Sequence, residues 1–147
     1  DKLARIPSLE TGTLETGTKE IPNMMETEAY WENLVKRSLC RFLLLGELDK
    51  GPVHGYGINL AIRAACQGCC EPTEAMVYST MKELLDGSYV ECREEEHQGR
   101  RRRVCWLSPK GEEAFRAAAR VWEKMMPTIN DSVAQALGQP TAVASQN

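Results

Sequence analysis

The sequence has little of what most enzymes and membrane proteins need. Its 147 residues include only two histidines and no nucleophile motif, so no acid–base pair can be assembled and we predict that the protein is not an enzyme. The longest apolar run, Phe42–Leu45, stops at Gly46, well short of the roughly 18 residues that cross a bilayer. The segment Asp1–Arg5 lacks the apolar stretch of a secretory signal, and we expect a cytoplasmic protein with no membrane partner.

The chain as a whole also lacks a large excess of either positive or negative charge. The formal net charge is −3, which does not point to a polyanionic partner. The distribution is more informative, because residues 1–28 carry three basic and six acidic side chains and the remainder is neutral, with four consecutive arginines at Arg100–Arg103. A local basic patch of this kind can bind phosphate groups even in an acidic chain.

The chain length fits a single domain. Residues 1–27 contain a direct repeat, Leu9–Thr13 followed by Leu14–Thr18, and few bulky side chains. Because such a segment buries too little apolar surface to offset its ordering entropy, we expect a flexible tail there. We expect the structured part to comprise a domain over residues 28–108 and a final helix over 109–138, followed by a second flexible tail over 139–147.

Apolar residues at three- and four-residue steps predict three helices before residue 88. The first runs from about Tyr30 to the breaker Gly51–Pro52. The second runs from about Gly55 to Ala65, and the third begins after Thr73, a favourable N-cap. The expected buried side chains are some or all of Tyr56, Ile58, Leu60 and Ile62 in the second helix, and Val77, Met81, Leu84 and Leu85 in the third.

A two-stranded hairpin follows, and its register follows from its turn. If the turn centres on Gln98–Gly99, residues equally distant from it face each other. An acidic strand then lies opposite the arginines, which supports this register because opposite charges facing each other across strands are favourable. The facing pairs are Glu94 with Arg103, Glu95 with Arg102, Glu96 with Arg101, and Cys92 with Cys105.

A long helix closes the predicted fold. Ser108 is suited to cap it and Pro109 to stand in its first turn, while Pro127 is expected to kink or divide it. Its apolar stripe is longer than a small domain can cover, so we predict a homodimer formed through this helix. The expected interface residues are Phe115, Trp122, Met125 and Ile129.

Three helices followed by a hairpin with a basic tip is the order of a winged helix, a variant of the helix-turn-helix. Within it, five segments in collinear order resemble the PadR family of bacterial transcriptional regulators, over about residues 38 to 115. These segments are Leu44–Leu48, Gly51–Tyr56, Val77–Leu84, Gly99–Arg103 and Leu107–Gly111. The resemblance implies a mostly α fold with a small β hairpin, a winged helix-turn-helix plus a C-terminal dimerisation helix. It also implies a homodimeric regulator, usually a repressor, that binds a palindromic double-stranded DNA operator and is released by an effector.

The third helix and the hairpin tip carry the side chains expected to contact DNA. Polar groups on the helix would donate hydrogen bonds, and the arginines would reach phosphates or the minor groove. The predicted contacts are Tyr78, Ser79, Lys82, Arg100, Arg101 and Arg102. In the alternative interpretation the arginines only pair with the facing glutamates, and the winged helix is a protein-interaction or zinc-stabilised structural module that does not read DNA.

Six cysteines are many for a cytosolic chain of this size. The dipole of the third helix is expected to lower the pKa of Cys69 and Cys70, which lie just ahead of it. Together with Cys66 they form a cluster of three thiols. Their thiolates would bind a soft ion, namely arsenite, antimonite, zinc, copper(I) or mercury; the alternatives are inert reduced thiols or a redox-sensitive pair. Cys92 and Cys105 are predicted to be small buried hydrophobic residues, with a cross-strand disulfide or a soft-metal site as alternatives.

Overall fold

A computed structural model describes residues 24–55 and 57–140 of the chain. Its elements are α1 (Glu28–Asp49), β1 (Val53–His54), α2 (Gly57–Cys66), α3 (Glu74–Asp86), β2 (Val90–His97), β3 (Arg100–Leu107) and α4 (Pro109–Leu137). Most of each expected tail, and Tyr56, lie outside the described residues. The expected architecture, mostly helical with a small antiparallel sheet, is confirmed.

The sheet has three strands rather than the two of a hairpin. The short strand β1 pairs antiparallel with β3, with Val53 facing Cys105 and His54 facing Val104, and the strand order is β1-β3-β2. A two-residue strand is too short to show the alternation by which strands are recognised in a sequence. As a result β3 is the central strand, and Val104 and Cys105 are both buried although they point to opposite faces.

The register predicted for β2 and β3 is confirmed over the whole hairpin, from Val90 facing Leu107 to His97 facing Arg100. At the turn Gln98 and Gly99 have φ angles of 51° and 76°. Positive φ at both central residues is the type I′ geometry, whose twist matches that of the flanking strands.

The ion pairs within the hairpin differ from the expected ones. Arg101 lies 3.9 Å from Glu94, its diagonal neighbour, and Arg93 pairs with Glu95 on its own strand. Exposed ion pairs contribute little free energy. The turn and the burial pattern therefore determine the register, and the charges adapt to it.

The hydrophobic core lies where the C-terminal half of α1 meets α2, α3 and the sheet. Leu44, Leu48 and Ile62 are its most deeply buried large side chains. In α2, Ile58 and Ile62 are four residues apart and share the buried face, whereas Leu60 lies on the opposite side and is 62% exposed. Of the candidate core residues of α2, Ile58 and Ile62 are therefore the buried ones, and Leu60 is not.

The buried face of α3 also differs in part from the expectation. Val77 and Leu84 are buried as predicted, but Thr80 is buried between them, and Met81 and Leu85 are only partly buried. Thr80 lies on the same helix face as Val77 and Leu84. The surface of α3 that packs on α1 therefore includes a hydroxyl group and fewer apolar side chains than the sequence pattern indicates.

Helix α4 begins as predicted. The Ser108 hydroxyl accepts a hydrogen bond from the Gly111 amide at 3.1 Å and donates one to the Ser88 carbonyl at 2.6 Å. Gly111 lies so close to β2 that a Cβ atom there would be 2.0 Å from the Tyr89 carbonyl oxygen. The helix start is therefore held against the start of β2.

Pro127 does not divide α4, which is helical from Pro109 to Leu137. A proline removes one intrahelical hydrogen bond, but this part of the helix is exposed and water can satisfy the carbonyl that loses its donor. Within residues 24–55 and 57–140, no helix is long and apolar enough to cross a membrane.

Candidate nucleic-acid interface

Helix α3 is capped at its start and held along its inner face. The Thr73 hydroxyl accepts a hydrogen bond from the Met76 amide at 3.2 Å, which confirms the predicted N-cap. The Thr80 hydroxyl contacts the Cys40 thiol of α1 at 3.5 Å. The Arg41 guanidinium of α1 donates hydrogen bonds of 3.0 and 2.6 Å to the Glu83 carboxylate. These contacts hold α3 on α1 and leave its other face free.

The free face of α3 carries the three predicted contact residues. Tyr78 is 76% exposed, and Ser79 and Lys82 are exposed beside it. Residues at these spacings lie within one helical turn. The structure therefore groups a phenol, a hydroxyl and an ammonium on one outward surface.

The hairpin β2–β3 is called the wing below. Its side chains at positions 90, 92, 105 and 107 pack in the core, so alternation places Arg101 and Arg103 on the same face, toward the helices. Arg100 and Arg102 lie on the opposite face. Together with Tyr78 and Lys82, Arg103 lines a cavity of about 400 Å³ between α2, α3 and the sheet. The predicted DNA contacts included Arg100 to Arg102 but not Arg103. Arg103 lies two residues before Cys105, so it is on the same face of β3 as that core residue.

The four arginines of β3, Arg100–Arg103, are almost free of ion pairs in the part of the chain that the structure describes. Arg101 alone has an acidic partner, Glu94, and both side chains are largely exposed. Such a pair is weak and can be exchanged for a phosphate contact. The interpretation in which glutamates neutralise the arginines therefore has little support. Two acidic side chains of α3, Glu74 and Asp86, also line the cavity.

The four predicted interface residues of α4 fall into two groups. Phe115 and Trp122 pack within the protomer, with ring centroids 5.4 and 6.1 Å from that of Phe42 in α1. Met125 and Ile129 are 47% and 36% exposed. The two aromatic residues thus hold α4 on α1, and the remaining two extend beyond that contact.

An apolar surface surrounds Met125 and Ile129. Helices α1 and α4 run in opposite directions, because Phe115 contacts both Gly46 and Phe42, whereas Trp122, two turns further along α4, contacts Phe42, one turn earlier in α1 than Gly46. The N-terminal part of α1 and the C-terminal part of α4 therefore extend toward the same end of the molecule. The surface called the apolar end below consists of the exposed Trp31, Leu34, Met125, Met126, Ile129 and Val133.

The three thiols predicted to converge on one ion are not brought together. Cys66, the last residue of α2, packs against the core one turn after Ile62, while the sulfurs of Cys69 and Cys70 lie 3.1 Å apart in the loop. Across residues 24–55 and 57–140, no three Cys, His, Asp or Glu side chains are grouped so as to hold a metal ion. The helical turn carries Cys66 inward, away from the other two.

The expected lowering of the thiol pKa is wrong for Cys70. The hydrogen bond with Cys69, together with partial burial, raises the pKa of Cys70 to about 11. Burial and the nearby Glu71 carboxylate raise the pKa of the Cys66 thiol. The helix dipole acts within about one turn, and Cys70 precedes the first residue of α3, Glu74, by more than that.

A disulfide joins Cys92 and Cys105 across the wing, rather than the two reduced hydrophobic residues that the sequence favoured. Counting from the two-residue turn, this facing pair is one that exchanges no backbone hydrogen bonds, and such pairs have the closest Cα atoms. The Cα–Cα distance is 4.1 Å. The confirmed register thus explains why these two sulfurs meet.

Known proteins share this fold and part of this sequence. Residues 44–117 match the model of the transcriptional regulator PadR-like family. A protein of known structure from Streptococcus mutans UA159 is 28% identical, with 66% of this chain and 88% of that chain covered and a TM-score of 0.58. A transcriptional regulator from Clostridium thermocellum is 25% identical, with 66% of this chain and 92% of that chain covered and a TM-score of 0.59.

A PadR family transcription regulator from Clostridium difficile R20291 has the same fold at 18% identity, with 65% of this chain and 98% of that chain covered and a TM-score of 0.57. No curated protein matches the chain. The family match covers half of the chain, from the core of α1 through the wing to the first turns of α4. Members of this family are transcriptional regulators that bind DNA, and not enzymes. The chain, a winged helix with a long final helix, therefore belongs to the PadR-like family of transcriptional regulators.

Proposed function

We propose that the protein is a homodimeric repressor in the cytoplasm, and that the α3 helix and the wing of each protomer bind one half of a palindromic operator. The observation that carries this proposal is the polar outer face of α3 beside Arg103, an arginine for which the described residues provide no ion pair. Hydrogen-bonding groups on a helix read base edges, and arginines on a neighbouring strand bind the flanking phosphates.

The proposed dimer forms through the apolar end. Six large apolar side chains exposed on two neighbouring helices form more apolar surface than a lone domain usually leaves in water. A two-fold axis through α4 would place the two α3 helices to read half-sites about 34 Å apart, one turn of DNA. On this proposal residues 28–108 form the DNA-binding domain and residues 109–138 the dimerisation helix, with Met125 and Ile129, rather than Phe115 and Trp122, at the interface.

An effector that reacts with thiols would release the operator. The loop that contains Cys69 and Cys70 joins α2 to α3, so a ligand bound there acts next to the helix that reads DNA. Such a ligand shifts the equilibrium only if it binds the DNA-competent and DNA-incompetent states unequally.

Operator binding is tested by fluorescence anisotropy with a labelled fragment of the promoter upstream of the protein's own gene, at several salt concentrations. We expect nanomolar binding that weakens steeply with salt, and at least tenfold weaker binding for Lys82→Ala. The matched control is Lys124→Ala, which removes the same charge from the exposed side of α4. Equal affinity for a scrambled fragment, or an equal effect of both lysine variants, would contradict the proposal.

A further inference from the structure

We propose that Cys69 and Cys70 form a two-thiol binding site for monosubstituted trivalent arsenicals. When occupied, this site changes the affinity of the protein for its operator; this second part rests on the proposed function, whereas the site itself does not.

The backbone of the loop brings the two sulfurs together. Successive side chains of an extended chain point to opposite sides, but Cys70 has a φ of 56° and Gly68 a φ of 80°, so the chain does not continue in that form. The thiols are in contact at 3.1 Å, and Cys69 is exposed with Cys70 partly exposed beside it. A small thiol-seeking molecule therefore reaches both sulfurs from solvent.

The separation of the sulfurs suits a pyramidal trivalent atom better than a tetrahedral one. With metal–sulfur bonds of about 2.3 Å, tetrahedral angles place two sulfurs about 3.8 Å apart, and nearly right angles place them about 3.3 Å apart. The distance of 3.1 Å between Cys69 and Cys70 is closer to the second value. A pyramidal trivalent arsenic centre has bond angles near a right angle.

The number of sulfurs determines the class of arsenical. Cys66 packs against the core, so the site offers two thiols and not three. An arsonous acid, R–As(OH)₂, carries one organic group and has two exchangeable positions. Two As–S bonds form, two As–O bonds break, and the two thiol protons leave with the two hydroxyl groups as water. Arsenic stays trivalent and no sulfur is oxidised, so no oxidant is needed.

The site is coupled to α3 through the loop. The middle and the end of α3 are held on α1 through Thr80 and Glu83, while its beginning follows the loop that contains Cys70. The charges of Glu32 and Lys36 in α1 act on the pKa of Cys70, so the loop lies beside the N-terminal half of α1. A ring closed through arsenic would restrict this loop and displace the start of α3 relative to α1.

Binding is tested with phenylarsine oxide, which hydrates to phenylarsonous acid, under nitrogen and without added thiol. With the Cys92–Cys105 disulfide intact, that pair does not react. Intact-mass spectrometry is expected to show one arsenical per chain, removed by a dithiol and retained with a monothiol. A second background, Cys92→Val with Cys105→Val, allows the same measurement in the presence of a phosphine reductant.

Three variants distinguish a site made of two thiols from a site made of three. Cys69→Ser and Cys70→Ser should each abolish the adduct, and Cys66→Ala, the matched control, should retain it. An adduct that is absent from the unaltered protein, or that requires Cys66, would overturn the two-thiol site. Tighter binding of inorganic arsenite than of phenylarsonous acid would overturn the assignment to monosubstituted arsenicals.

The effect on DNA is measured separately, by anisotropy with the promoter fragment. One equivalent of phenylarsine oxide should lower operator affinity at least tenfold in the unaltered protein and in Cys66→Ala, and leave Cys69→Ser and Cys70→Ser unchanged. Adduct formation without a change in affinity would overturn the regulatory part. If the untreated protein does not bind the fragment at all, the proposed function is wrong, and the mass measurements still decide whether the site exists.

Discussion

The reading face and the apolar end are both exposed, but they are supported differently. The reading face, which is the surface proposed to bind DNA, consists of Tyr78, Ser79 and Lys82 on α3 with Arg101 and Arg103 of the wing. The elements that carry it have their opposite faces in the core, so these side chains are positioned in a single protomer. The apolar end belongs to parts of α1 and α4 that extend beyond the core, and among the described residues its six large apolar side chains remain at least one third exposed.

This difference indicates how substitutions in each surface should act. A change in the reading face should alter DNA affinity and leave assembly unchanged. A change in the apolar end should alter assembly first and DNA affinity only through it, because two half-sites are bound together only by a dimer. The loop with Cys69 and Cys70 lies between the two surfaces, beside the N-terminal half of α1 and ahead of α3.

The largest effect is expected from Met125→Glu combined with Ile129→Glu. Burying a fully exposed apolar side chain of this size contributes about 1.5–3 kcal/mol. Met125 and Ile129 are 47% and 36% exposed in one protomer and two-fold symmetry counts both twice, so the dimer should lose about 3–5 kcal/mol. Sedimentation velocity should show a folded monomer with greatly weakened operator binding. Lys124→Glu, on the opposite side of the same helix, is the control and should remain dimeric. If the doubly substituted protein remained dimeric, the proposal that the apolar end forms the dimer interface would be wrong.

The next effect concerns Gly111, where α4 leaves the core and begins to extend toward the apolar end. Even Gly111→Ala places a Cβ atom 2.0 Å from the Tyr89 carbonyl oxygen, and such overpacking should reduce the free energy of unfolding by about 3 kcal/mol. The control is Gly46→Ala inside α1, where the nearest atoms are 3.5 Å away and alanine should add up to about 1 kcal/mol. Denaturant titration measures both; equal signs for the two substitutions would contradict the packing described for α4.

A smaller effect separates the two faces of the wing. Arg101→Gln with Arg103→Gln should weaken operator binding about tenfold and lower the slope of affinity against salt by about two ion equivalents. Arg100→Gln with Arg102→Gln removes the same charge from the outer face and should change both quantities less. Anisotropy titrations at four salt concentrations measure them. Equal losses for both pairs would mean that the alternation of the strand does not select the DNA contacts.

The smallest effect is a change of reaction rate at the loop between the two surfaces. Since the hydrogen bond with Cys69 is the main cause that raises the pKa of Cys70 to about 11, Cys70 is protonated at pH 8. Its alkylation by iodoacetamide should be slow there and accelerate with each pH unit up to about pH 11. In Cys69→Ala the pKa should fall and alkylation at pH 8 should become faster. An unchanged rate, measured by peptide mass spectrometry, would show that the Cys69 thiol does not control Cys70.

Much of the fold could be predicted because the relevant interactions are local. The hairpin register follows from a two-residue turn with positive φ angles and from alternation, and both hold in the structure. The caps at Thr73 and Ser108 follow from the need of a helix start for hydrogen-bond acceptors. The predicted DNA contacts on α3 all lie on its exposed face because helical spacing alone separates them from Val77 and Leu84.

The features that the sequence did not reveal concern residues whose surroundings are distant in sequence. The strand β1 exists only because β3 offers it an edge to pair with. Phe115 and Trp122 pack on Phe42, which lies about 70 to 80 residues earlier in the chain, and the periodicity of α4 does not distinguish that contact from a dimer interface. Cys66 was grouped with Cys69 and Cys70 by proximity in sequence, but the last turn of α2 carries it toward the core.

The sequence by itself determined the order of the elements, their caps, the hairpin register and the family, because backbone geometry and side-chain periodicity act between near neighbours. Only the tertiary structure decided which arginines share a face with α3, which aromatic residues of α4 stay within the protomer, and which two cysteines touch. These outcomes depend on how the helices and the sheet pack against one another, and packing joins residues that no local pattern relates.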